Sequence, residues 1–409
     1  MRILMALPFF PYPPDSGNVI RCLELIKRIG ADDELDVLAL DTVGSGADAV
    51  ARVASFCRTV YPVPRRRRPK IAQVPALVGK ILRGIPLDTK YADSRELGAR
   101  LTRLTRENAY HIVHFEKSMM AVHVDRLAPG HGARTVLSLQ DVGFSQLYRI
   151  YTRERRLFRK AWLLLNWLPM MTWEPRVARR FDKTLAVSAL DRMLLQALDP
   201  QLDVDVIPNG VDTRRCRPFP LEQRAREILI VGTLDYPPNI DGVVGFCRDI
   251  FPLIRSRIPD CALSVVGKNP TTAVRRLGEQ PGITVHPNVP DVQPFYQRAL
   301  LSAVPLKAGG GTRLKILESL AFGTPVVSTR IGCEGLNLEA GRAILVADSP
   351  AAFADAVCAL AESPARWRDL SEAGRRAVEE EYDWDRIAAR LREVYARLAA
   401  RPQAKGPAY

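Results

Sequence analysis

The densest concentration of residues able to do chemistry lies between positions 305 and 328, PLKAGGGTRLKILESLAFGTPVVS. An apolar strand ends there, Gly309, Gly310 and Gly311 follow, Thr312 is placed to cap, and a helix is predicted to about Phe322 before Gly323 and Pro325 close it. Three residues without side chains let backbone N–H groups approach a ligand at the positive end of a helix dipole, which is an anion site. Arg313 and Lys315 stand in the first helical turn, where that dipole disfavours cations. An anion such as a diphosphate, neutralising both, accounts for them. Glu318 follows about one turn later and can accept hydrogen bonds from hydroxyls such as a ribose diol. The alternative for the same residues is a glycine loop with solvated charges.

Other candidates carry less. Gly17, in the proline-rich loop PYPPDSGNVIR, either brings backbone close to a diphosphate or an acceptor, or is a turn glycine. The pair Asp203 and Asp205 forms a D-x-D, a metal-binding pattern elsewhere, but it precedes a linker rather than closing a nucleotide-binding strand. It is read as structural, and no metal or other cofactor is expected. The five His stand singly or flank a strand and are read as packed or surface residues. Seven widely spaced Cys without a C-x-x-C are neither a disulfide framework nor a zinc site, and imply a reducing compartment.

Elements able to position these residues alternate along the whole chain. Strands are predicted at 3–7, 35–40, 60–63, 112–115, 135–139 and 184–187, then at 228–231, 262–266, 283–285, 300–304, 325–328 and 343–346. Helical stripes lie between them, with Val19, Leu23, Ile26 and Ile29 as an example. Such alternation implies an α/β fold of two doubly wound, Rossmann-like parallel sheets. The join is the turn-rich IPNGVD at 207–212, so the domains are expected at 1–205 and 206–384, facing across a cleft, with a helix over 385–400 packing back on the first. Ligands of such sheets sit beyond the carboxyl ends of the strands.

The 409 residues are 47% hydrophobic and 25% charged, which excludes disordered and low-complexity classes. The net charge of +14 favours anionic partners. Half of it lies in 149–180, where nine Lys and Arg face two Glu around Trp162, Trp167, Trp173 and neighbouring Leu and Met. That stretch is too short to span a bilayer and suits an anionic membrane surface; the alternative is a packed helix with a solvated basic side. The expected location is cytoplasmic, peripheral to the inner face of a membrane.

The tandem sheets, the glycine loop entering a helix that carries Glu318 and ends in GTPVV, and the IPNGVD linker resemble glycosyltransferase family 4, of the GT-B fold, over essentially the whole chain. The resemblance implies a retaining transfer of a sugar from a nucleotide-diphosphate donor, bound by the second domain, to a glycan or lipid-linked acceptor at the first. It makes Glu318 the ribose-binding second Glu of an E-x7-E motif. Gly310 stands where the first Glu belongs, so amides of Gly309–Thr312 are expected to replace it. The diphosphate-binding Arg and Lys that the family places after the first strand of the second domain are missing, and Arg313 and Lys315 are assigned that charge. Where many members carry a His after the strand at 135–139, this chain has Asp141, which either orients the acceptor hydroxyl or donor sugar, or makes an Asx turn. Val289 resembles a position where main chain meets the base. Competing readings are a sugar-nucleotide epimerase or hydrolase on the same fold, and a basic polyanion-binding protein, although no nucleic-acid module is recognised.

Overall fold

The structure, a computed structural model, describes residues 1–42, 44–65, 77–154, 156–308 and 313–401. Its strands are β1 (Arg2–Leu7), β2 (Glu34–Asp41), β3 (Thr59–Pro64), β4 (Ile112–Glu116), β5 (Arg134–Leu139), β6 (Lys183–Ala186) and β7 (Val204–Val206), followed by β8 (Ala225–Val231), β9 (Ala262–Gly267), β10 (Ile283–Pro287), β11 (Ala299–Val304), β12 (Val326–Ser328) and β13 (Leu345–Val346). The first seven form one sheet in the order β3-β2-β1-β4-β5-β6-β7, and the last six another in the order β10-β9-β8-β11-β12-β13. Every neighbouring pair is parallel. The reason is legible in the strands themselves: Ile3–Leu7 and Leu35–Leu40 are apolar on both faces apart from Asp36 and are buried throughout, as strands covered by helices on both sides must be.

The chain divides into two compact units, Met1–Pro208 together with the chain from Ile387, and Asn209–Arg386; the sequence placed the first division at 205/206. In the first unit the returning helix Trp384–Ala400 contributes Ile387, Leu391, Val394 and Leu398, all buried. Tyr395 of that helix bonds through its hydroxyl to His114 Nδ1 at 2.7 Å, and Arg392 pairs with Asp32 and Asp33.

Three expectations need correction. The strand β7 was not foreseen, because its residues were read as a D-x-D. Asp205 lies in that edge strand at 3.1 Å from Lys183 Nζ, Asp203 beside it pairs with the same ammonium, and Arg397 reaches Asp205 at 3.3 Å. At 326–328 and 345–346 the observed strands are shorter than predicted. The Trp-rich stretch is not one surface. It folds as helices Gly143–Arg153 and Leu157–Ala178, the second burying Leu163, Asn166, Met170 and Glu174 while Leu157, Phe158, Leu165 and Leu168 stay exposed. Trp167 stacks on Tyr151 and meets Tyr148 at a tilt, and Arg179 and Arg180 are engaged by Asp199 and Asp125.

Candidate active site

Both sheets reverse their strand order once, the second between β8 and β11. At such a point the connections leave on opposite sides and open a crevice beyond the strand ends. From β8 the chain turns at Gly232 into the helix Pro237–Gly245, which starts with Pro where a missing N–H costs nothing. From β11 it passes Pro305 and enters the helix Leu314–Ala321. Gly267, at the end of β9, lets these turns pack: a Cβ there would lie 1.7 Å from the Gly232 carbonyl oxygen.

Lys315 and Asn239 span the reversal. The Lys315 ammonium donates to Asn239 Oδ1 at 3.1 Å, and Asn239 Nδ2 donates to the Thr233 carbonyl at 2.8 Å. A Cβ on Gly232 would stand 3.0 Å from both the Lys315 Nζ and the Asn239 Nδ2, so its backbone lies open to this pair. A small cavity beneath them is lined by Gly232, Leu234, Asn239, Gly242 and Lys315. One turn along the helix, Glu318 Oε2 accepts from the Tyr296 hydroxyl at 3.2 Å. Tyr296 is fully buried and stacks on Phe322, which fixes the carboxylate's direction.

Burial dominates the electrostatics of this pair. It pushes the Lys315 ammonium down to about 7, with the Arg313 charge acting the same way and Glu318 opposing. It pushes the Glu318 carboxyl up to about 7, against the Tyr296 hydroxyl, Lys315 and Arg215, which favour the charged form. A cation held so near neutrality is stabilised by any anion that arrives beside it.

Arg313 is buried and flanks the helix as its N-cap residue, one position later than a Thr312 cap would have it. Gly309, Gly310, Gly311 and Thr312 lie outside the described residues. Val289 follows β10 and packs, half-buried, against the cluster containing Tyr296 and Ile316. Gly17 and Asp141 belong to the first unit. Gly17 is exposed and opens the helix Gly17–Asp32; Asp141 is half-buried in the bend before Gly143. Its charge raises the carboxyl of Glu174, which burial above all pushes up to about 7 and which accepts from the Gly143 N–H at 3.0 Å. The His were read as packed or surface residues: His114 and His123 are buried, the latter bonded to the Ala92 carbonyl, and His111 is exposed.

Sequence reasoning missed Asn239 and Tyr296. Both are ordinary residues in sequence, and only the β8/β11 reversal brings them to Lys315 and Glu318. The glycine after β8 was the available signal, because it leads straight into a proline-started helix.

Comparison with known proteins gives the family and the fold. The sequence model of the family described as Glycosyltransferase Family 4 matches residues 16–215, and that described as Glycosyl transferases group 1 matches 225–363. A protein of the cps region of Klebsiella pneumoniae is 20% identical over 94% of this chain and 97% of its own length. The GDP-mannose-dependent alpha-(1-6)-phosphatidylinositol monomannoside mannosyltransferase of Mycolicibacterium smegmatis is 27% identical over 76% of this chain and 81% of its own. Among solved structures, Anabaena HepE in complex with UDP superposes with a TM-score of 0.68 over 97% of this chain and 100% of that one, at 13% identity. The two family matches, the paired parallel sheets and the glycosyltransferase relatives lead to one conclusion: the chain is an enzyme of glycosyltransferase family 4, built on the GT-B fold.

Proposed function

We propose that the protein moves a sugar, with retention of configuration and without a metal ion, from a nucleoside-diphosphate donor at the β8/β11 reversal to a glycan or lipid-linked acceptor. The observation that carries this reading is the Lys315–Asn239 bridge across the reversal, with Glu318 aimed by Tyr296 one turn away. Departure of a nucleoside diphosphate places negative charge on its terminal phosphate. Lys315, with Arg313 beside it and the amides of Gly309–Thr312, supplies the stabilisation that a metal gives elsewhere. Glu318 accepts from the donor's ribose hydroxyls, Val289 offers main chain to the base, Asp141 orients the acceptor hydroxyl or the donor sugar, and Gly17 brings backbone close to the donor diphosphate or the acceptor. The UDP complex of HepE and the GDP-mannose dependence of the mycobacterial relative support a nucleotide-sugar donor.

A lipid-linked acceptor is supported by the surface of the first unit. Phe158 is 95% exposed and Leu157 81%, next to Arg156, Arg159 and Lys160 in the chain. Exposed apolar side chains beside cations suit an interface of anionic lipid, which supports a peripheral position on the inner face. Among the described residues no helix is long and apolar enough to cross a membrane.

The test is turnover of nucleotide sugars in EDTA with membrane-extracted or glycan acceptors, the product anomer assigned by NMR. Acceptor-dependent transfer with the donor's configuration kept is expected. Equal donor breakdown without acceptor would favour a hydrolase or epimerase, and an inverted product would remove retention.

A further inference from the structure

Glu318 is aimed by a tyrosine that must itself be held. The Tyr296 hydroxyl reaches Glu318 Oε2 at 3.2 Å and the Lys315 carbonyl at 3.3 Å. Burial, with the Glu318 charge beside it, keeps that hydroxyl well above the usual tyrosine range, so it stays a donor. A donor directs a carboxylate only as well as its own ring is fixed. Tyr296 belongs to the six-residue helix Gln293–Arg298, which is too short to hold itself, so the ring depends on contacts outside that helix.

Those contacts converge on Arg224, the residue before β8, at the edge of the sheet opposite the crevice. Its Nη1 reaches the Tyr296 carbonyl at 2.8 Å, the Ala299 carbonyl at 2.8 Å and Thr324 Oγ1 at 2.9 Å. The Thr324 hydroxyl donates in turn to the same Tyr296 carbonyl at 2.8 Å. Its Nη2 donates to the Phe322 carbonyl at 2.9 Å, and Nη2 and Nε both reach the Phe219 carbonyl. Tyr296 and Phe322 are the two stacked rings, so both members of the stack hang by their carbonyls from one guanidinium. Phe322 also ends the helix that carries Lys315 and Glu318, and a cation suits the negative pole there. Trp367 lies under the guanidinium, 5.1 Å from its ring centre. Among the described residues no carboxylate pairs with Arg224, and burial pushes it down to about 10. Withdrawing a cation from water without a counter-charge is costly. What arginine supplies in return is a rigid planar fork that fixes two carbonyls at a set spacing, which a point charge does not.

We propose that Arg224 is a positioning residue for ribose recognition: through the Tyr296 and Phe322 carbonyls it sets the ring whose hydroxyl directs Glu318. The word ribose rests on the transferase reading; the coupling of Arg224 to the Tyr296 hydroxyl does not. Two measurements on the full chain test it. The first is thermal melting without ligand, comparing Tyr296→Phe in the wild type and in Arg224→Lys, which keeps the charge and loses the fork. Loss of the hydroxyl should lower the wild-type Tm by about 2–4 °C and that of Arg224→Lys by less than half as much. The second is calorimetry with UDP, GDP and ADP, each beside its 2′,3′-dideoxy counterpart. The wild type should prefer the ribonucleotide that it binds by about tenfold, the worth of hydrogen bonds to a carboxylate. Arg224→Lys should lower that preference to the level of Glu318→Ala while binding the dideoxy form as the wild type does. A role confined to the fold would leave the preference of the folded protein intact. Thr324→Val breaks the relay from Arg224 to the Tyr296 carbonyl more mildly, and takes the place of Arg224→Lys in both measurements if that variant does not fold. An equal Tm loss in the two backgrounds, or a ribose preference that survives Arg224→Lys, would overturn the proposal. A wild type that binds none of the three nucleotides would contradict the donor site, and the melting comparison would then decide the role of Arg224 by itself.

Discussion

Each unit buries a group of charged and polar side chains near its sheet, and the two groups are finished differently. In the first unit Glu116 is fully buried, yet its carboxyl is held below the usual range. Burial would raise it, but the His114 hydrogen bond at 2.9 Å and the Arg21 charge outweigh that, and Ser138 donates at 3.0 Å. Arg21 in turn donates to the Ile207 and Pro208 carbonyls, and Tyr395 closes the far side of His114. In the second unit Lys315 and Glu318 have one side-chain hydrogen-bond partner each among the described residues, and burial drives both toward their neutral forms. A buried charge held by several partners holds a fold together, whereas one with a single side-chain partner is poised for a ligand.

The comparison breaks most visibly at Arg21. Replacing it with Met leaves the Glu116 carboxylate buried beside an apolar group, so a loss of about 3–5 kcal/mol is expected in urea unfolding. Nucleotide affinity of the folded fraction should not change. Lys315→Ala should do the reverse: a roughly hundredfold fall in kcat/KM, about 3 kcal/mol of barrier, with the melting temperature kept or raised. A smaller effect sharpens the distinction between core and surface in the first unit. Leu157→Ser with Phe158→Ser should weaken flotation with anionic vesicles by about tenfold without lowering Tm, because those side chains bury nothing in the fold. Binding that survives the pair unchanged would return the stretch to a solvated helix face.

The smallest effect is a pH signature. Glu318 is raised from 4.5 to about 7, so between those values the folded state binds more protons than the unfolded one and stability falls as pH rises. Lys315 is lowered from 10.5 to about 7, so above 7 the folded state binds fewer protons and stability recovers. The ligand-free chain should therefore show a shallow stability minimum near neutrality, flattened in Lys315→Met with Glu318→Gln. A diphosphate beside Lys315 should draw in protons on binding, visible by calorimetry in buffers of different ionisation heat, and its affinity should fall as pH rises above 7.

Much of the fold was legible because parallel strands buried on both faces leave unbroken apolar runs, as at Ile3–Leu7 and Ile228–Val231. What escaped were edges. The strand β7 carries Asp205, which pairs with Lys183 of the neighbouring strand and with Arg397, and those pairings have no local trace in sequence. Lys315 and Glu318 stood out as charges in an otherwise apolar helix. Asn239 did not, since it meets Lys315 from 76 residues away.

The central claim is that the β8/β11 reversal holds a nucleoside diphosphate, and titration calorimetry in EDTA tests it most directly. Wild-type protein and Glu318→Ala should be titrated with each common nucleoside diphosphate. The account predicts that one of them binds the wild type without metal and binds Glu318→Ala at least about tenfold more weakly, as loss of hydrogen bonds to a charged group requires. Equal affinity in the two proteins, or no binding of any diphosphate, would contradict it.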